Sequence, residues 1–409
     1  MEYIVEKERE TPVISETDVI VAGGGVAGVA AAVAAARNGA KVQLIERYGQ
    51  LGGLATGGLV TLLLGYGRYE LGINREIGEY LLQNHFGIVE SAGKRVWLDG
   101  MGLTSLKRVK YDGEELKYLL NEMVLRENIE LLFHSLIVDV VKEKSRVRGL
   151  VLEGKSGRQA VLGKCVIDAT GDGDVLARAG AKHISEMHPW GVSLCHRFGN
   201  VDLDKSFTFQ RENEDQCNAI RAELETLLGF KFWWGPSSLP KVTLSMAPHI
   251  LGYNVLDVHD LTRAEIQSRR IIKTAFTFLR EHMPGFEDAF ILETAPQLGV
   301  RAGRRLVGEY ALSKEEIVKG VRFNDAVIRS IYDVPYGCLL PQRIDSLLVA
   351  GRCVSGTEEG REELRLICPC IATGQAAGTA ATLSVLENVQ PRSLDITRLQ
   401  TALQGGTIP

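Results

Sequence analysis

Apolar and polar positions along the chain change period several times, and each change marks a different element. Residues 18–22 (DVIVA) are apolar after a single aspartate, the pattern of a short strand buried on both faces. Six residues, Gly23-Gly24-Gly25-Val26-Ala27-Gly28, then lead into a run of small apolar residues over 29–38. That run reads as a helix with Gly39 at its C-cap. Residues 41–45 form a second apolar strand that ends at Glu46. Over 112–128 the spacing is helical, with Leu116, Leu119, Leu120, Met123 and Val124 on one side. Strand-like runs follow at 130–133, 136–141 and 147–152, and after a turn between Gly154 and Gly157 another covers 160–169. Residues 261–283 predict a long helix, with Asp260 or Thr262 near its N-cap. Near the C-terminus come a strand at 347–350, a turn at Gly351-Arg352, and a helix over 369–386 with proline in its first turn.

A chain of 409 residues exceeds the size at which one core usually stops growing, so two domains are expected. The stretch 186–330 differs in texture from its flanks, holding three of the four tryptophans and most of the histidines. We therefore read residues 1–185 as the first part of a nucleotide-binding domain, 186–330 as an inserted domain for substrate, and 331–409 as the return. The fold class is α/β: a Rossmann-like domain with a parallel sheet and helices, plus an inserted α+β domain.

The strand–GxGxxG–helix–strand unit carries the first chemistry. Gly23 permits the tight turn, Gly25 lets the backbone approach a pyrophosphate, and Gly28 lets helix and strand pack closely. The helix N-terminus offers free N–H groups to phosphate, and Glu46 is placed to accept from a ribose diol. This unit alone leaves NAD and FAD both open. Small residues four apart on the last helix, Gly374 with Gly378 and Ala372 with Ala376 and Ala380, suit close approach to a sheet or a flat cofactor.

Composition narrows the function classes. Glycine is high at 44 residues, clustered at the turns just named, while a net charge of −4 supplies no basic footprint for nucleic acid. Seven cysteines include no CxxC, so neither a zinc site nor a disulfide framework follows, and free thiols fit a reducing cytoplasm. The uncharged run 19–36 is mostly glycine and alanine, too weakly apolar to span a membrane, and the acidic residues before it do not form a leader. The expectation is a cytoplasmic protein with a small-molecule substrate and neither nucleic acid nor membrane as partner.

Residues 46–58 (ERYGQLGGLATGG) resemble the extended fingerprint of glutathione-reductase-type flavoproteins. With GGGVAG, VIDATGDGDVLARAGA, DLTRAEI, LETAPQLGVRAGRRLVGEYAL, LLVAGRC and CIATGQAAGTAA, they make the chain similar to the FAD-dependent oxidoreductase family of two-dinucleotide-binding-domain flavoproteins, related to the fumarate reductase flavoprotein group. The resemblance implies FAD as cofactor. It places Gly52 and Gly53, with Gly23 and Gly25, toward the pyrophosphate, Glu46 toward the ribose, and Ala55 and Thr56 toward the isoalloxazine, with Val26, Ala27, Gly28 and Arg47 as further cofactor contacts. Ile137, Ala169, Thr170, Gly171, Gly351 and Arg352 are implied contacts too, as are Cys370, Ile371 and Ala372 at the helix N-terminus facing the flavin. One departure is Arg352, where many flavoproteins have aspartate after this glycine; an arginine suits the pyrophosphate instead.

Catalytic candidates are thinner. Arg301, Arg304 and Arg305 share a face if their segment is helical, and with Arg365 they could clamp an anion. Structural ion pairing is the competing role for each. His196 and His249 are candidate acid–base groups, and Cys370 a candidate redox thiol, with packed structural roles as the alternatives. The leading reading is an FAD-dependent oxidoreductase moving hydride between flavin and a small metabolite, anionic if the arginines face it. The alternatives are a protein that uses FAD structurally or as a redox sensor, and an NAD-dependent Rossmann dehydrogenase; Gly52-Gly53 and the last helix argue against the latter.

Overall fold

The computed structural model describes residues 4–69, 72–91 and 107–405. Its main sheet has seven strands in the order Glu130–Leu132, Val42–Ile45, Val13–Ala22, Gly157–Asp168, Arg146–Gly154, Leu136–Glu143, with Leu347–Val349 also paired to Gly157–Asp168. The long strand changes partner half-way. Residues 158–162 pair antiparallel with Arg146–Gly154, whereas Val166, Ile167 and Asp168 pair parallel with Leu347–Val349. The parallel part is almost wholly buried, which is why residues 18–22 and 347–349 carry no alternation. Its register aligns the carboxyl ends: Ala22 stands opposite both Ile45 and Asp168, and Val349 opposite Asp168. The turns after these strands therefore open along one edge, where ligands of open α/β sheets bind.

The Val26–Arg37 helix packs on the Ile367–Leu386 helix, both apolar nearly all round. Their approach is set by glycine. A Cβ added at Gly374 would lie 2.1 Å from the Ala27 carbonyl oxygen, and one at Gly378 would lie 2.1 Å from that of Ala31. Thr382 donates its hydroxyl to the Ala35 carbonyl at 3.1 Å one turn further on. The Gly374 and Gly378 row thus meets another helix.

A second buried cluster runs from Val192 to Leu298 and takes in Leu59. It covers a four-stranded antiparallel sheet (Gly235–Pro236, Thr243–Ser245, His196–Gly199, Phe290–Thr294) and the Val258–His282 helix. Phe198 stacks near Phe276 and Phe286 at its centre. Leu306, Leu312, Ile317 and Ile328 pack in the first cluster. The long helix begins earlier than the sequence spacing indicated, because Asp257 accepts from the amides of His259 and Asp260 and is the N-cap. Among the described residues no helix is long and apolar enough to cross a membrane.

Candidate active site

The aligned strand ends create a cleft of about 340 Å³. At its base Gly23 has φ +98°, and a Cβ there would lie 2.6 Å from the Ala169 carbonyl oxygen. A Cβ at Gly28 would fall 1.8 Å from the carbonyl oxygen of Gly23. Both positions are glycine because turn, helix and neighbouring strand touch. Gly25 differs: a Cβ there would meet no protein atom within 4 Å, and the residue lines the cleft. The protein's own packing gives Gly25 no reason to be glycine, whereas a ligand lying on the start of the helix does.

Two acids organise the flanking turns. Glu46 accepts from the Gly24 amide at 2.6 Å and from the Tyr48 amide at 2.8 Å, so it ties the glycine turn to the chain leaving the second strand. Gly52, with φ +99°, donates its amide to the Gly24 carbonyl at 2.8 Å and closes the same wall. Each Glu46 oxygen keeps a further lone pair for a ribose hydroxyl. Asp168, fully buried, accepts from the amide and hydroxyl of Thr170 and from the Leu176 amide, which fixes the 169–174 turn. Burial raises its carboxyl to about 6 against those donors.

Arginines line the opposite wall. Arg352 donates to Asp172 at 2.8 Å through one terminal nitrogen, and the other, Nη1, is buried without a partner. Arg304 donates to the Asp172 carbonyl and the Asp174 carboxylate, and Arg47 stands 3.9 Å from Asp172. Asp172 and Asp174, whose roles were not legible in the sequence, are thus the counter-ions of this wall; their place beside the Thr170-Gly171 turn was the available signal. The second buried cluster's side of the cleft contributes Val255, Leu256, Leu261, Glu265, Gln297, Leu298 and Val300.

Of the residues singled out from sequence, Gly23, Gly25, Val26, Ala27, Glu46, Arg47, Gly52, Gly53, Ala55, Ala169, Thr170, Gly171, Gly351, Arg352, Cys370 and Arg365 line this cleft. Ile137 lines a small adjoining recess with Glu46 and Arg47. Gly28 packs beneath the turn, and Thr56 is buried with its hydroxyl on the Leu51 carbonyl. The last helix starts at Ile367, so Ile371 lies in the core and Ala372 opens on a different depression beside Gln375.

The arginine segment is not helical. Arg304–Leu306 is a strand paired antiparallel with His183–Ser185, so alternation sends neighbouring side chains to opposite faces. Arg304 enters the cleft, while Arg305 is buried outside its lining. There it donates to the Gly356 carbonyl and to both oxygens of Glu186, which Arg361 also engages. His196 is buried between Phe198 and Phe232, and burial pushes it down to about 4. His249 is likewise pushed down to about 4, by burial and by Arg301. Burial pushes the Cys370 thiol up to about 12.

A sequence model of FAD-dependent oxidoreductases matches residues 18–332 and 328–403, more than half of the chain. The chain belongs to this family. No curated protein sequence matches it significantly. Solved structures with the same fold include a geranylgeranyl bacteriochlorophyll reductase-like protein from Thermoplasma acidophilum, 16% identical, with TM-score 0.51 over 95% of this chain and 87% of that one. The p-nitrophenol 4-monooxygenase PnpA from Pseudomonas putida is 12% identical, with TM-score 0.52 over 96% and 87% of the two chains. The myxobacterial chondrochloren halogenase CndH is 13% identical, with TM-score 0.52 over 95% and 78%. At these identities the likeness is one of fold, and none of the three is a fumarate reductase.

The cleft of this FAD-dependent oxidoreductase suits the dinucleotide. Gly25 leaves open space at a helix N-terminus, Glu46 keeps free acceptors, and the orphaned Arg352 Nη1 supplies a donor of the charge a diphosphate requires.

Proposed function

We propose that this flavoenzyme moves hydride between FAD and a small, anionic metabolite held between the Ile367 end of the last helix and the inserted part of the chain. The observation that carries the reading is the continuity of one cleft. It runs from Gly25 and Glu46 at the nucleotide end, past Cys370 and Ile367, to Val255, Leu256, Leu298 and Val300. In this reading Gly23, Gly25, Val26, Ala27 and Arg352 hold the diphosphate, Glu46 and Arg47 the ribose, and Gly52, Gly53 and Ala55 border the ring. FAD supplies the two-electron chemistry; the protein supplies position and a dry surround. The start of the Ile367–Leu386 helix carries the partial positive charge of its dipole, which would favour negative charge on a reduced ring placed there. The aliphatic residues from the inserted part exclude water from the other side. Seven unpaired, buried thiols suit a reducing cytoplasm.

The purified protein is expected to be yellow and to release FAD on acid treatment. Anaerobic addition of a substrate from a metabolite panel bleaches the flavin, and air restores it. A protein that neither carries nor takes up FAD refutes the reading. A bound flavin that no small reductant or oxidant turns over favours a structural or sensing cofactor instead.

A further inference from the structure

Where the last helix begins, charges do not balance. Among the described residues Arg305, Arg361 and Arg365 pair with Glu186 and Glu362, and Arg301 lies near enough to Arg365 and Glu362 to feel both charges. Glu186 is taken up by Arg305 and Arg361. Glu362 accepts from Arg365 and, at 2.6 Å, from Nε2 of His188. These donors outweigh the effect of burial and hold its carboxyl down at about 2. His188 adds no charge, because its Nδ1 accepts from the Trp190 amide at 3.1 Å and its one ring proton sits on Nε2. Glu363, the remaining acid of this turn, stands 4.0 Å from Arg68 instead.

Arg301 is therefore left over. Among the described residues no carboxylate lies within 4 Å of it, and its hydrogen bonds go to the Gly191 carbonyl and the Ser193 hydroxyl. Burial and the neighbouring Arg365, only partly offset by Glu362, lower its affinity for its own proton, to a value of about 10. A largely buried guanidinium with neutral partners, beside a second one, is a costly arrangement unless an anion completes it. Arg365 lines the cleft, next to Ile367 and Cys370, at the end where the substrate is proposed to sit; Val300 brings the chain to the same wall, with Arg301 just outside the lining.

We infer that Arg301 and Arg365 form a two-arginine receptor for a carboxylate of the substrate. This deepens the proposed function and rests on it for the identity of the ligand as substrate. Each oxygen of Glu362 and Glu186 already has a partner, and Glu362 only partly offsets the charge of Arg301, which leaves room for an external anion. Its position fixes the substrate's charged end near the helix start, which orients the rest of the molecule along the cleft.

The test uses acetate, succinate, benzoate and inorganic phosphate as probes, with acetamide and benzamide as neutral counterparts. Binding is measured by calorimetry on the FAD-loaded and the FAD-stripped protein, for wild type, Arg301→Gln, Arg301→Lys and Arg365→Gln. Carboxylates should bind and lose roughly 10- to 100-fold in affinity in Arg301→Gln, less in Arg301→Lys, with the neutral probes unchanged. Wild-type carboxylate affinity in folded Arg301→Gln or Arg301→Lys overturns the receptor, as does preference for phosphate or the absence of any carboxylate binding. Arginine-dependent carboxylate binding in a protein that takes up no FAD would keep the receptor and remove the flavin reading, so the two failures are distinguishable.

Discussion

Replacing Gly374 by alanine tests the helix crossing on which the cleft stands. The new Cβ would lie 2.1 Å from the Ala27 carbonyl oxygen, 2.8 Å from its carbon and 3.0 Å from its Cα, where ordinary contact begins at 3.4 Å. The obstacle is backbone of a buried helix, so no rotamer change relieves it, and the helices must part by more than an ångström. Gly378 sits equally close to Ala31, which prevents a simple pivot about the next turn. Overpacking of this kind costs typically 1–3 kcal/mol, or more where the neighbours are rigid, so we take about 3 kcal/mol. Alanine's better helix propensity returns about 1 kcal/mol. The net expectation is a loss of about 2 kcal/mol, whereas propensity acting alone would give a gain, so the sign decides. Chemical denaturation gives the stability, and flavin titration gives the cofactor affinity. Gly378→Ala should lose similar stability but disturb FAD less, because Ala31 lies further along the helix from Gly25. Either variant proving more stable than wild type would refute the crossing.

Glu46→Gln should remain folded but bind FAD more weakly by about 1–3 kcal/mol, since an amide has one acceptor oxygen for the two backbone N–H groups that Glu46 now holds. Unchanged flavin affinity in the folded variant would show that this carboxylate does not shape the site. Because the Glu362 carboxyl is held at about 2 against an ordinary 4.5, its ionised form stabilises the folded protein. That contribution is present above about pH 4.5 and fades as the pH falls toward 2, so Glu362→Gln should flatten the acid limb of the melting-temperature profile and lower the neutral plateau. Superimposable profiles would mean that the His188 and Arg365 bonds to Glu362 contribute nothing.

Much of the nucleotide half was legible because its constraints are local. A turn that needs φ +98° at Gly23, and a helix that presses Gly28 onto that turn, can be met only by glycine at a fixed short spacing. Two buried parallel strands on either side must be unbroken apolar runs, so strand, turn, helix, strand and Glu46 all show within thirty residues. The same locality explains the recognition of residues 46–58 and of the strand and turn at Leu347–Val349 and Gly351-Arg352.

What stayed hidden depends on which distant segments meet. Arg301, Arg304 and Arg305 have a spacing that fits a helix, yet pairing with His183–Ser185, more than a hundred residues away, draws Arg304 and Arg305 into a strand and sends them to opposite faces. The glycines at 374 and 378 announce a close approach without saying to what; Ala27 and Ala31 answer only in three dimensions. Asp172 gives no sign in sequence that it belongs to Arg352, nor Glu186 that it is shared by Arg305 and Arg361. Periodicity and steric demand act over one turn or one pleat and so are written in consecutive residues. A charge pairs with whichever carboxylate the fold delivers within reach, and that includes the case of Arg301, to which it delivers none within 4 Å among the described residues.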